Sequence, residues 1–259
     1  MFSFVYGNLD FAHKLDRASS PKDEYWKHMH YFYEVLYFIA GDVNYQVDSA
    51  ERQLRKGDLL IIHPGKFHFA TVNRAVNYER YVLKFPEEMV DEPFRSKLGR
   101  SQTFFTLSLP LQELIQECDS IQSTYPPDEA AMLMKARIQE LLIRLLQNSD
   151  AQEVVKDNPI SSNIINYIDQ NITQDLSLSS IAQALNYSPS YLASIFKKNL
   201  NTPMMQYIRT KKMIFARTLL KRGESPEKVA EILAFEDYST FYRSYMKVIG
   251  ESPSKTRKS

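Results

Sequence analysis

The chain has 259 residues, enough for two modest domains with a core each. Hydrophobic residues make up 44% and charged residues 24%, a globular balance that excludes a disordered or collagen-like chain. The single cysteine, Cys118, excludes an internal disulfide and fits a reducing compartment. The net charge of +1 hides an asymmetry: from Ile160 onward there are 14 Lys+Arg and 8 Asp+Glu, while the preceding part is negative.

The opening "MFSFVYGNLDFAHKL" has no basic start followed by an apolar run, so no signal peptide is expected. No uncharged apolar stretch is long enough to span a bilayer, and a cytoplasmic protein with no membrane partner is expected. Residues 1 to about 105 read as strands. "EVLYFIAG", "VNYQVD", "RQLRKGDLLIIHPG", "FHFATVN" and "YERYVLKF" are short and rich in Val, Ile, Tyr and Phe, with Gly, Pro, Asp and Asn between them. Even spacing of short strands predicts a sandwich or small barrel. Two helices follow, around Leu111–Gln122 and Glu129–Gln147, separated by Pro126 and Pro127. The second carries an apolar stripe, Leu133, Ile138, Leu142 and Leu145, expected to make a dimer contact, the alternative being that it packs on its own barrel. "NSDAQEVVKDNP" is polar and reads as a linker, placing domains at 1–148 and 160–259 with residues 149–159 between them.

Beyond Pro159 the chain reads as helical to its end. Ser188-Pro189 opens one helix and Ser225-Pro226 another. A long helix after Pro203 stops at Gly223, and a last one closes at Gly250. "SSIAQALNYSPSYLASIFKKNLNTP" and "EKVAEILAFEDYSTFYRSYMKVIGESP" repeat one another in order: Ala182 with Ala230, Leu185 with Leu233, Ile195–Phe196 with Ser244–Tyr245. Two helices joined by a tight turn, twice, with a helix between, form a tandem helix-turn-helix. No acidic residue occurs between Asp175 and Glu224, while eight basic ones do, a one-signed field suited to a polyanion.

On these residues the chain resembles the AraC-type family of transcription regulators. The motifs that carry the resemblance are "SLSSIAQALNYSPSYLASIFKK", "QYIRTKKMIFARTLL" and "AFEDYSTFYRSYMKVIGESPSKTR". Three positions depart from the family pattern: Ala234 and Asn201 stand where Gly is usual, and Lys212 where Arg is usual. The resemblance implies that each second helix enters a major groove of double-stranded DNA on one face, with recognition elements about 34 Å apart. By position, the DNA-facing set is Ser188, Ser190, Tyr191, Ser194, Lys197 and Lys198 in the first unit. In the second it is Tyr238, Ser239, Tyr242, Arg243 and Lys247. Lys197 and Lys198 suit phosphate contacts, and Arg243 can make a bidentate contact to guanine or pair with a phosphate.

The resemblance extends to the first half, which looks like a cupin barrel. His28, His30, Glu34 and Gly41 follow the first cupin motif, and Gly57, Pro64, Gly65, His68 and Asn73 the second. Strand alternation is expected to put His28, His30, Glu34 and Phe38 on one face. Three imidazoles and a carboxylate are ligands that a divalent transition metal accepts. The same quartet also reads as hydrogen-bonded barrel residues, or as polar hooks for a small hydroxylated ligand walled by Trp26, Tyr31, Tyr33 and Tyr37. The expected ligand set is Trp26, His28, His30, Glu34 and His68, with no metal and no cofactor.

The expected fold class is therefore α+β: an N-terminal cupin-like β-barrel with flanking helices and a C-terminal all-α tandem helix-turn-helix domain. The expected function is a sequence-specific DNA-binding transcription regulator, homodimeric, sensing a small-molecule effector for which family precedent points to a sugar. RNA polymerase is a further expected partner. The rival reading is a metal-dependent cupin enzyme, an isomerase or dioxygenase, with an appended helical domain.

Overall fold

The computed structural model describes residues 2–17, 24–91, 94–98, 103–147 and 156–258; the side chains of residues 24–26 and of Phe94 and Leu98 lie outside that description. Two compact units result. One comprises residues 1–28, 32–47 and 51–156; the other comprises 157–259 together with the short segments 29–31 and 48–50.

The first unit is built on two antiparallel sheets. Its strands are β1 (Phe2–Tyr6), β2 (Leu9–Arg17), β3 (Glu24–His28), β4 (Tyr33–Ala40), β5 (Val43–Val47), β6 (Ala50–Gln53), β7 (Asp58–Ile62), β8 (His68–Val72), β9 (Asn77–Phe85), β10 (Phe104–Thr106) and β11 (Lys156–Asp157). The order β1-β2-β9-β4-β7-β10 forms a six-stranded sheet and β11-β6-β5-β8-β3 a five-stranded one. A positive φ of 91° at Gly57 turns the chain into β7, a conformation that a side chain would strain. A short helix α1 (Phe94–Leu98) precedes the helix pair α2 (Leu109–Thr124) and α3 (Pro127–Gln147).

Strand alternation divides β4 between two environments. Tyr33, Val35 and Tyr37 join Leu59, Ile61, Leu83 and the helices in one apolar core. Glu34 and Leu36 turn to the other face, where a cavity lies. The α3 stripe expected to make a dimer contact is largely spent inside this unit. Ile138, Leu142 and Leu145 are each at most 2% exposed within the same core, and only Leu133 is exposed. The stripe packs on its own sheet because α2 and α3 must cover the apolar face of β4, β7 and β9. Cys118 is buried in this core, and burial pushes its thiol up to about 12, which leaves it unreactive at neutral pH.

Of the segment read as a linker, residues 149–155 lie outside the described residues. Lys156 and Asp157 form β11, and Asn158 caps the next helix by accepting from the Ser161 N–H at 3.0 Å. The second unit contains α4 (Pro159–Gln170), α5 (Leu178–Ala184), α6 (Pro189–Leu200), α7 (Met204–Lys221), α8 (Pro226–Ile232), α9 (Tyr238–Ile249) and α10 (Pro253–Lys258). The starts follow the sequence signals. Ser188 and Ser225 cap α6 and α8, each followed by Pro, and Ser177 and Ser180 form a reciprocal capping box on α5.

Candidate functional site

The two helix-turn-helix units share one turn geometry, with one more residue before the second helix in the second unit. In the first turn the Tyr187 N–H donates to the Ala182 carbonyl at 2.9 Å, and in the second the Phe235 N–H donates to the Ala230 carbonyl at 3.0 Å. The turn residues themselves, Asn186 and Ala234, sit at φ 58° and 53°. That left-handed conformation suits Asn and costs Ala about 1–2 kcal/mol. The position where Gly is usual therefore keeps its geometry here under strain. At the far ends of α6 and α9 the left-handed cap is Asn201 (φ 52°) in one unit and Gly250 (φ 83°) in the other. Asn201 thus takes up the Gly conformation, as its short polar side chain allows.

Each reading helix has a buried inner edge and an exposed outer one. Leu192, Phe196 and Leu200 are buried in α6, as are Phe241, Ser244 and Tyr245 in α9. All eleven candidates are exposed: Ser188, Ser190, Tyr191, Ser194, Lys197 and Lys198 on α6 and its cap, and Tyr238, Ser239, Tyr242, Arg243 and Lys247 on α9. Ser188 is also a cap, its Oγ accepting from the Tyr191 N–H. Asp237 caps α9, accepting from the backbone N–H and the hydroxyl of Thr240, and those bonds hold its carboxyl below the usual range.

Several of the eight basic residues counted toward a polyanion field are used internally, among them Arg217, stacked 3.7 Å from the Tyr31 ring centre. Lys211 pairs with Asp169. Lys212 is only 7% exposed and donates to the carbonyls of Gln174 and Leu233, each at 2.8 Å. Burial lowers its pKa. One ammonium on α7 thus ties down both the segment leading into α5 and the end of α8. Composition alone could not separate this anchor from solvated lysines.

The first unit holds a cavity of about 360 Å³ between its sheets. Lys14, Glu34, Leu36, Tyr78, Arg80, Val82 and Lys84 line it from the six-stranded sheet, and His28, Tyr45, Phe69 and Ala70 from the five-stranded one. The aromatic wall differs from the one expected. Tyr33 and Tyr37 point to the opposite face; Tyr37 donates its hydroxyl to Gln112 on α2 at 3.1 Å. Tyr31 is absent from the lining and the Trp26 side chain lies outside the described residues, so Tyr45, Phe69 and Tyr78 supply the aromatic surface.

His28, His30, Glu34 and His68 do converge. One donor atom from each lies within 4.8 Å of the other three. The reason is not the one that alternation suggests. His28 ends β3 in one sheet, Glu34 lies on β4 in the other, and His30 sits in the connection between them. His28 and His68 are register partners on β3 and β8, with ring centroids 4.2 Å apart. The His68 Nδ1 lies 3.0 Å from the Lys66 carbonyl. A carbonyl only accepts, so Nδ1 carries the proton and Nε2 keeps the lone pair, the orientation that backbone carbonyls impose on metal-ligating histidines. Three imidazoles and a carboxylate are the donor set of a first-row divalent ion; opposed ligands on bonds of about 2.1 Å stand about 4.2 Å apart, so donors spread over as much as 4.8 Å would have to draw in to hold one.

His63 belongs to neither cupin motif, so nothing in the sequence singles it out. It is buried, neither ring nitrogen has a hydrogen-bond partner among the described residues, and burial followed by the charge of Lys66 pushes its pKa down to about 4.

Comparison with known proteins agrees with this two-part layout. Residues 13–164 match the model of an AraC-like ligand binding domain, and residues 181–259 that of a helix-turn-helix domain. A XylDLEGF operon transcriptional activator of Pseudomonas putida is 23% identical over 86% of this chain and 74% of its own length. The uncharacterized HTH-type transcriptional regulator YtdP of Bacillus subtilis is 34% identical over 38% of this chain, a match spanning only 13% of that protein. Among solved structures, ToxT from Vibrio cholerae aligns over 96% of this chain and 97% of its own, with 12% identity and a TM-score of 0.42.

Proposed function

Because this chain belongs to the AraC-type family of transcription regulators, we propose that its first unit senses a small metabolite and its second reads a bipartite DNA site. The observation that carries the DNA reading is the pair of equivalent helices α6 and α9. They share a buried skeleton, and every candidate contact is turned outward. Lys197 and Lys198 would hold phosphates, and Arg243 would read a guanine in the groove entered by α9. Enrichment of a randomised duplex library on the full chain tests this. Two half-sites about one helical turn, 34 Å, apart are expected, with affinity falling steeply as salt rises. Enrichment of a single site, or salt-independent binding, would refute the tandem reading.

The cavity supports the sensing role, since a solidly packed unit would serve only as a scaffold. Its volume suits a small molecule, a sugar included, with apolar walls and a few convergent polar groups. Effector binding would favour one of two arrangements of the regulator and so alter site occupancy. Action in the cytoplasm, contact with RNA polymerase, and a homodimer complete the proposal. The dimer would use the exposed side of α3, where Met132, Leu133 and Ile143 lie. Among the described residues no helix is long and apolar enough to cross a membrane.

The converging quartet favours a second reading, in which His28, His30, Glu34 and His68 hold a divalent metal. Such an ion would supply Lewis-acid character toward an oxygen of the bound molecule. The enzyme reading requires turnover as well. Elemental analysis of protein purified without chelator or metal-affinity steps decides between the readings. One equivalent of metal, lost in His30→Ala, would establish the metal site.

A further inference from the structure

The charges around the cavity are unevenly distributed. Alternation along β9 places Tyr78, Arg80, Val82 and Lys84 on one face, and all four reach the cavity. Lys14 on β2 is the register partner of Arg80, so two cations stand directly opposite each other across the pair of strands. Like charges in that relation destabilise a sheet. With Lys84, three cations line the cavity against one carboxylate, Glu34.

Each cation has partners of its own, Arg80 donating also to the Tyr78 carbonyl at 3.2 Å. Arg80 stacks on the Tyr78 ring at 4.0 Å and pairs with Asp16 at 2.6 Å, but that aspartate is 43% exposed and does not line the cavity. Lys84 reaches Glu34 only at 3.9 Å. Lys14 has Asp10 and Glu34 within electrostatic range, yet its pKa is lowered by burial and by the fields of Lys84 and Arg80, which outweigh both carboxylates. Leu36 and Val82 lie among these charges on the same sheet, Phe69 and Ala70 come from the other sheet, and none of the four offers a polar side chain.

We propose that the cavity is a site for a small organic acid, its carboxylate received by Lys14, Arg80 and Lys84 and its body seated against Leu36, Phe69 and Val82. The proposal rests on the sensing role given to this unit and names the chemical class it senses. A neutral sugar would leave the three cations facing each other. A carboxylate relieves their repulsion and forms charge-assisted hydrogen bonds in a partly desolvated place, where they are strongest. A sugar acid and an aromatic acid share this chemistry.

The test is calorimetric unfolding of the full chain at constant ionic strength, with phenylacetate, glucuronate or inorganic phosphate, and with the neutral counterparts phenylacetamide and glucose. At least one organic acid should raise the first unit's midpoint while its neutral counterpart does not. Lys14→Met and Lys84→Met should each lose that protection. Lys14→Met should itself melt about 2–4 °C above the parent in anion-poor buffer, having shed a like charge. Lys56→Met, at an exposed position, controls for net charge. Protection by phosphate with none by either acid would assign the cations to a phosphate group and overturn the carboxylate. Equal protection by a neutral counterpart would overturn the anion reading and leave the sensing role standing. Absence of protection by every probe would overturn both.

Discussion

Replacing Lys212 by Met removes one ammonium while keeping the stem that packs in the second unit. The parent makes two bonds of 2.8 Å, to the carbonyls of Gln174 and Leu233. Hydrogen bonds from a charged donor contribute about 1.5–3 kcal/mol each, so the pair is worth about 3–6 kcal/mol. Part of that is offset by the cost of burying the charge, the same cost that lowers the amine's pKa. Methionine pays no such cost and fills the stem's space, so the net loss should be about 2–3 kcal/mol. For a unit of this size that is a fall of roughly 10–20 °C in midpoint. Differential scanning calorimetry of the full chain reads it as a downward shift of the second unit's transition, with the first unit's unchanged. At low temperature the variant should still bind DNA, because Lys212 faces the interior. A midpoint equal to or above the parent's would mean that burial cancels the two bonds, and that α5 and α8 are held by apolar packing alone.

Acid should destabilise the first unit through His63. The unfolded chain takes up a proton near pH 6.5, while the folded state refuses it until about 4. Stability is thus full above 6.5 and falls by about 3 kcal/mol as pH drops to 4. Urea midpoints of the parent and His63→Leu across that window should diverge in slope, and parallel curves would remove the assignment. Ala234→Gly should stabilise the second unit by about 1 kcal/mol, since Gly adopts φ 53° without strain; calorimetry showing a loss would mean that the turn is relaxed with Ala. Arg243→Ala should cost about 1–3 kcal/mol on the selected site and relax one base position, whereas Lys198→Ala should weaken all sequences alike and shallow the salt slope. Fluorescence anisotropy separates the two, and equal losses on specific and random DNA would make Arg243 a phosphate contact.

The helical half was legible in the sequence because its signals are local. A Ser-Pro pair starts a helix wherever it stands, and Gly or Asn in a left-handed conformation ends one. The internal repeat made the same local statement twice, and the hydrogen bonds at Asn186 and Ala234 follow it. The central strands were legible for the same reason: "EVLYFIAG" and "YERYVLKF" overlap Tyr33–Ala40 and Asn77–Phe85, while β1, β2, β3 and β10 were not singled out.

What those strands face was not local. Alternation says that Glu34 and Leu36 share a side of β4 and that Tyr33 and Tyr37 share the other. It does not say which side the helices cover, so the expected tyrosine wall was on the wrong face. The α3 stripe carried the same ambiguity: an apolar face has to be covered, and periodicity does not say by what. Only packing assigned it to the unit's own sheet. The quartet was found by spacing, yet it forms because the end of β3 and the start of β4 belong to different sheets. The opposition of Lys14 to Arg80 needed the register of β2 on β9, which depends on pairing between segments about 65 residues apart. Capping and turn preferences act over a few bonds and are written in neighbouring residues. Cavities, buried charges and converging side chains depend on which distant surfaces meet, and the tertiary structure decides that.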